Sequence, residues 1–265
     1  QLVNVKEGDN IVCSILDHNA NFIPWRKRGA NVLLLKTLEN GLLDLNMLES
    51  FLKNNTVKIV SLVAMSNTAG IIQPFKKIVE IAHKYGTLVC IDFAQYIPHY
   101  SADFKSTDCD FCCFSAHKIG STCFGVLVGK KNVLERCKED IYAKNLKSFF
   151  DNNDIPLKNI PVCFEFGSLQ IFDIIAFSSA LKYFISLGYD TINAFEGELR
   201  DYFLQKAKQA DFIQFLFPMQ QICAPIFTFN FSDTNLVLSD VNKILLNDYR
   251  ISVSCGTQCA QPLYK

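Results

Sequence analysis

Four short polar segments stand where apolar runs end, and together they hold an amine, a carboxylate, an amide and an imidazole. They are Asp17-His18-Asn19-Ala20-Asn21, Ser66-Asn67-Thr68-Ala69-Gly70, Asp92-Phe93-Ala94-Gln95 and Ser115-Ala116-His117-Lys118. Each follows β-forming residues, as Leu88-Val89-Cys90-Ile91 precedes Asp92. A lysine amine can form a Schiff base with a carbonyl compound. A carboxylate beside a cation stays ionised. An amide can donate to an anionic oxygen, and a histidine can exchange a proton near neutral pH. Alone, Lys118 reads as a surface lysine and Asp92 as an ordinary strand-end carboxylate; the conjunction is far more specific. A further candidate is Cys259, in the loop-like run Gly256-Thr257-Gln258-Cys259-Ala260. As a nucleophile it must act as the thiolate, which a nearby cation favours.

Bringing these residues together is a task for a parallel sheet, whose strands open their carboxyl ends on one edge where ligands bind. The hydrophobic patterning predicts strands over Asn10 to Leu16, Ala30 to Thr37, Val57 to Met65, Thr87 to Ile91, Cys109 to Ser115 and Gly125 to Gly129. Helices are expected over Leu45 to Asn54 and over Pro74 to Tyr85, the latter with Pro in its first turn and Gly86 past its end. Such alternation implies an α/β fold with a mostly parallel central sheet. The polar segment Lys138 to Pro161 reads as a loop or hinge. Beyond it, helices are expected over Gln170 to Leu187, Thr191 to Ala210 and Ser239 to Asn247, with strands over Ile222 to Phe231 and Ile251 to Ser254. The expected division is a large domain over residues 1–150 and a smaller C-terminal α/β domain over 151–265.

The order His, Asn-Thr-Ala-Gly, Asp-x-Ala-Gln, Ser-x-His-Lys resembles the class V aminotransferase family, and within it the group II, SufS-like cysteine desulfurases. Gly256-Thr257-Gln258-Cys259-Ala260-Gln261-Pro262-Leu263 resembles the loop that carries their catalytic cysteine. The resemblance implies the type I fold of enzymes dependent on pyridoxal 5'-phosphate (PLP). It implies Lys118 as the Schiff-base lysine, Asp92 at the pyridine nitrogen, Gln95 at the phenolate oxygen and His18 stacked on the ring as an acid–base group. Ser115 and His117 would contact the phosphate, and Asn67 would help place the substrate carboxylate or a cofactor oxygen. Ser168, in Phe166-Gly167-Ser168, would reach the phosphate of a neighbouring subunit, which implies a homodimer. Cys259 would take the sulfur of L-cysteine as a persulfide, release alanine and pass the sulfur to an acceptor of iron–sulfur cluster assembly.

The bulk composition fits this reading. The chain has 265 residues, 49% of them hydrophobic, with 26 basic and 26 acidic side chains. A balanced charge argues against a nucleic-acid surface or an anionic-membrane binder. No apolar run is long enough for a transmembrane helix. The eleven cysteines are scattered, several in apolar runs, which suits reduced thiols in the cytoplasm or an organelle matrix, plastids included. Cys109 and Cys112 form a Cys-x-x-Cys pair without a second pair, and on one strand they would face opposite ways, so no metal site is expected. The chain begins Gln1-Leu2-Val3 without an initiator Met and is expected to be a fragment.

Three departures from the family pattern stand out. The phosphate-cradling Gly-Thr-Thr turn would precede Gln1, Ser254 occupies the place of an Arg, and the chain stops at Lys265 before a segment that carries another Arg. Arg250 could share a strand face with Ser254. The competing readings are a catalytically impaired homologue acting as a dimerisation or scaffold partner, a related PLP lyase such as a selenocysteine lyase, and a cofactor-free hydrolase built on Cys259 and His117.

Overall fold

The computed structural model describes residues 3–137, 159–165, 167–233 and 235–264. Its centre is a six-stranded sheet made of β1 (Asn10–Ser14), β2 (Asn31–Leu35), β3 (Val57–Val63), β4 (Leu88–Asp92), β5 (Phe111–Ser115) and β6 (Gly125–Gly129). The strand order is β2-β1-β3-β4-β5-β6. All neighbours are parallel except β6, which runs antiparallel to β5. The mostly parallel sheet expected from the alternating pattern is therefore present. The chain leaves β1 to one side for β2 and returns to its other side for β3, so the winding direction reverses at β1. Such a reversal opens a crevice at the carboxyl ends of the strands.

The sheet is covered on both faces. Val12, Val60, Leu62, Val89 and Ile91 belong to one buried cluster, whereas Ile11, Cys13, Ile59 and Phe111 belong to another. Alternate residues of a strand feed opposite faces, which is why β3 reads as an almost unbroken apolar run. Helix α2 (Leu45–Asn54) starts where the Asp44 side chain accepts from the Asn46 and Met47 amides. Helix α3 (Phe75–Lys84) buries Phe75, Ile78, Val79, Ile81 and Ala82 on one stripe. Both match the expected spans to within a residue at each end.

Other segments differ. The polar segment after β1 runs into a helix that the hydrophobic patterning did not predict, α1 (Asn19–Lys27), with His18 as its cap and Pro24 inside it. Proline and asparagine lower helix propensity, so packing of Phe22 and Trp25 against the sheet must stabilise this helix. A short helix α4 (Phe104–Thr107) precedes β5. Cys109 lies outside β5, and the intervening turn places its thiol close enough to the Cys112 thiol for the two to interact. The expectation that the two face apart assumed one continuous strand. None of the eleven cysteines, all of them among the described residues, is in a disulfide.

Towards the C-terminus, helices α5 (Ile171–Leu187) and α6 (Tyr189–Ala207) meet at Gly188, as the glycine predicts. Strand β7 (Ile213–Phe215) pairs antiparallel with β8 (Phe229–Phe231), and helix α7 (Leu238–Tyr249) follows. The strand expected over Ile222 to Phe231 is thus only its last three residues, because the preceding residues turn to bond Gly70. Residues 251–254 form no strand. Arg250 caps α7 in the left-handed conformation, φ 58°, which redirects the chain and removes the strand face Arg250 was expected to share with Ser254. The hinge over Lys138 to Pro161 and the domain division at residue 150 fall largely or wholly outside the described residues. No single described helix is long and apolar enough to cross a membrane.

Candidate active site

The carboxyl ends of β1, β3, β4 and β5 carry the four polar segments, so the sheet brings all of them to one edge. Lys118 sits on a 3-10 turn, Ala116–Ile119, directly after β5. Gly120 ends that turn at φ +78°, a conformation that suits a residue without Cβ. Lys118 is exposed, and its Nζ donates to Gln95 Oε1 at 3.0 Å. Ser115 leads into the turn without spending its hydroxyl on a cap, and His117 lies exposed beside Lys118.

Asp92 is the last residue of β4. Its Oδ1 accepts the Ala94 N–H at 2.8 Å, and among the described residues Oδ2 makes no hydrogen bond. Burial pushes this carboxyl above its ordinary value, while the Ala94 bond and the nearby charges of His18 and Lys118 pull it back. The balance differs from the simple expectation of an ion held by its cation: desolvation is the larger effect here. His18 caps α1, with Nδ1 accepting from the Ala20 amide at 3.1 Å, which leaves Nε2 for other partners.

Cys259 is exposed, at φ 60°, and its thiol makes no hydrogen bond among the described residues. Its backbone is held at two points. Its carbonyl accepts the Asn19 N–H at 2.7 Å, and the carbonyl of Gln258 accepts from Asn67 Nδ2 at 2.9 Å. Asn67 thus anchors the Cys259 loop through its Nδ2. Ser168 is exposed just before α5 and bonds none of the other candidates. Helix α5 does reach the lysine turn, since Phe177 contacts the rings of Phe114 and Phe124.

Two groups to which the sequence pattern assigned no role join the site. Asp17, which precedes His18, is fully buried, and desolvation raises its carboxyl to about 7. Its Oδ1 has no hydrogen-bond partner within normal geometry among the described residues. His99 is buried between Gln95 and Glu196 of α6. The only sequence signal for His99 was its spacing of four residues from Gln95; for Glu196, remote in sequence, there was none.

The residues fit PLP. Asp92 has an unused acceptor oxygen that would suit a pyridinium N–H, the Lys118 amine has no carboxylate bound to it among the described residues, and Ser115 and His117 offer unspent side-chain donors nearby.

The chain is 34% identical over 267 aligned residues to a probable cysteine desulfurase of Halalkalibacterium halodurans, covering 99% of this chain and 64% of that protein. It is 28% identical to a cysteine desulfurase of Haloferax volcanii, covering 97% and 61%. The chain thus spans less than two thirds of these relatives' length. Among solved structures, a cysteine desulfurase of Escherichia coli superposes with a TM-score of 0.82 at 27% identity, over 99% of this chain and 65% of that one. An apo cysteine desulfurase of Thermococcus onnurineus, at 24% identity and a TM-score of 0.79 over 98% and 65%, shares the fold. The family model described as aminotransferase class-V matches residues 1–265, so the chain belongs to the class-V aminotransferase family.

Proposed function

We propose that the chain is a PLP-dependent cysteine desulfurase of the SufS-like group, converting L-cysteine to L-alanine and handing the sulfur to an iron–sulfur assembly protein. The observation that carries this reading is the double anchoring of the Cys259 loop. Asn19 and Asn67, from two of the four strand-end segments, hold the backbone of Gln258 and Cys259 at the edge that bears Lys118.

When bound, the cofactor supplies an electron sink for bonds at the substrate α-carbon. Lys118 would hold it, Asp92 would accept from its ring nitrogen, Gln95 would face its phenolate oxygen, His18 would lie against the ring, and Ser115 and His117 would bind its phosphate. Lys118 moves the proton at the α-carbon. The Cys259 thiolate attacks the substrate sulfur, so an S–S bond forms as the C–S bond breaks. The carbon losing sulfur keeps the electron pair, takes a proton and leaves as alanine; Cys259 keeps a persulfide.

The same reading makes the protein a homodimer in which Ser168 serves the partner's site, divides it near residue 150, and puts it in a reducing compartment, cytoplasm or organelle matrix. Eleven cysteines without a disulfide among them support the last point. The exposed, irregular segment at Ser254 favours a second reading, an impaired homologue that binds PLP without turnover.

Absorbance of the full-length protein before and after L-cysteine, with alanine quantified, separates these readings. The desulfurase reading expects a visible cofactor band, lost in Lys118→Ala, and alanine production that Cys259→Ala abolishes while keeping the band. A band without alanine decides for the impaired homologue, and no band in the wild type sinks both.

A further inference from the structure

His99 matches no motif, yet it occupies a buried position one residue-contact away from Lys118. The segment that carries it, after β4, winds helically: Ile97 N–H donates to Phe93 O and Tyr100 N–H to Tyr96 O. Residues four apart then share a face, which stacks His99 on Gln95. His99 Nδ1 lies 2.9 and 2.8 Å from the two carboxylate oxygens of Glu196, and its Nε2 lies 3.2 Å from Gln95 Nε2. Gln95 Oε1 in turn accepts from Lys118 Nζ at 3.0 Å. Glu196, His99, Gln95 and Lys118 form one continuous chain of contacts from helix α6 to the reactive amine.

The donor and acceptor inventory makes this chain directional. A carboxylate only accepts, so His99 Nδ1 must carry a proton. In a neutral imidazole Nε2 is then an acceptor. The two ends of the Gln95 amide have nearly the same shape, so partners alone decide which way it points. An acceptor at His99 Nε2 draws the NH2 end, which turns Oε1 toward Lys118, as observed. Without Glu196 the imidazole could place its proton on Nε2 instead; that donor would draw Oε1 away and turn NH2 toward the lysine.

Helix α6 is well placed to hold this arrangement. Tyr189 Oη donates to Ile97 O at 2.8 Å. Arg200 Nη1 and Tyr100 Oη both donate to Cys223 O at 2.9 Å. The histidine-bearing segment is therefore clamped to α6 on both sides of Glu196.

We propose that Glu196 and His99 are positioning residues that set the orientation of the Gln95 amide, and through it the cofactor-binding end of the site. The proposal rests on the reading of Lys118 and Gln95 as PLP-holding residues. His99 acts through Gln95 alone, which gives the idea a sharp test.

The PLP dissociation constant is measured by absorbance titration for the full-length wild type, His99→Phe, Gln95→Ala and the double variant, with circular dichroism to confirm folding. His99→Phe should weaken binding about tenfold. The double variant should bind as Gln95→Ala does, since nothing is left for His99 to orient. Multiplying effects, or His99→Phe binding like the wild type, overturns the proposal. If His99→Phe fails to fold, Glu196→Leu replaces it in the same cycle. A second readout needs no cofactor. The 15N shifts of His99 should report the Nδ1–H tautomer in the wild type and a mixture in Glu196→Leu; an unchanged tautomer overturns the role of Glu196. A wild type that takes up no PLP while keeping the Nδ1–H tautomer sinks the reading of the site, and the proposal with it. Normal uptake without coupling sinks the proposal alone.

Discussion

At the scale of the residue, the site is governed by desolvation as much as by pairing. Asp17 lies beneath the His18 cap with its carboxyl raised to about 7 from 3.8. Burial is the largest cause, and the Asp92 charge adds to it, while bonds from Ser14 and Asn21 oppose it. A carboxyl raised on folding favours the folded state while protonated. That stability is fully present below the unfolded value of 3.8 and is lost as pH rises toward 7. Between those limits the loss approaches about 1.4 kcal/mol per pH unit. Asp17→Asn keeps an acceptor for the Ser14 amide and removes the ionisation. Its thermal stability should change less between pH 4 and pH 7 than that of the wild type, with the variant relatively more stable at the upper end. Parallel curves for the two proteins would show that Asp17 does not carry this charge penalty.

At the scale of the element, the loop after β3 ties the C-terminal chain to the sheet edge. Gly70 has φ +61°, and a Cβ there would lie 2.8 Å from Ile226 O and 3.1 Å from Ala224 O. In return its carbonyl accepts the amides of Cys223 and Ala224, and Thr228 Oγ1 donates to Thr68 O. Gly70→Ala meets both a left-handed backbone and a backbone wall that cannot give way as a side chain would. It should cost about 1–3 kcal/mol, read as a lowered thermal midpoint. Gly86→Ala is the control: its added Cβ meets nothing within 4 Å, so only the backbone cost remains. Equal losses in the two variants would mean that close approach at Gly70 is unimportant.

At the scale of the whole molecule, the outer face of α5 is apolar and is left exposed by the described residues. Phe172 is 88% exposed, and Ile171, Ile175, Tyr183 and Ile185 are also exposed. Contiguous exposed apolar surface marks an interaction site, and the homodimer reading supplies a second copy of this chain as the occupant. Wild-type protein should sediment as a dimer, and Phe172→Asp combined with Ile175→Asp should shift it to monomer. A monomeric wild type, or a double variant that remains dimeric, would remove α5 from the interface.

Much was determined by sequence alone. Strand-end polar motifs placed the lysine, the acid, the amide and the histidine at one sheet edge, because a buried parallel strand is a short apolar run and the polar residues that end it follow directly. The spans of α2 and α3 were equally legible, since one-sided burial imposes a helical period. Other features depend on tertiary contact. Pro24 lies in a helix because Phe22 and Trp25 pack against the sheet. Residues 251–254 form no strand because no neighbour among the described residues pairs with them. Asn67 anchors the Cys259 loop across 191 residues of chain, and Glu196 reaches His99 across 97. Local pattern encodes which groups stand at the sheet edge; which of them touch is decided by how remote elements pack, because a hydrogen bond needs its partner within about 3 Å wherever the chain brings it from.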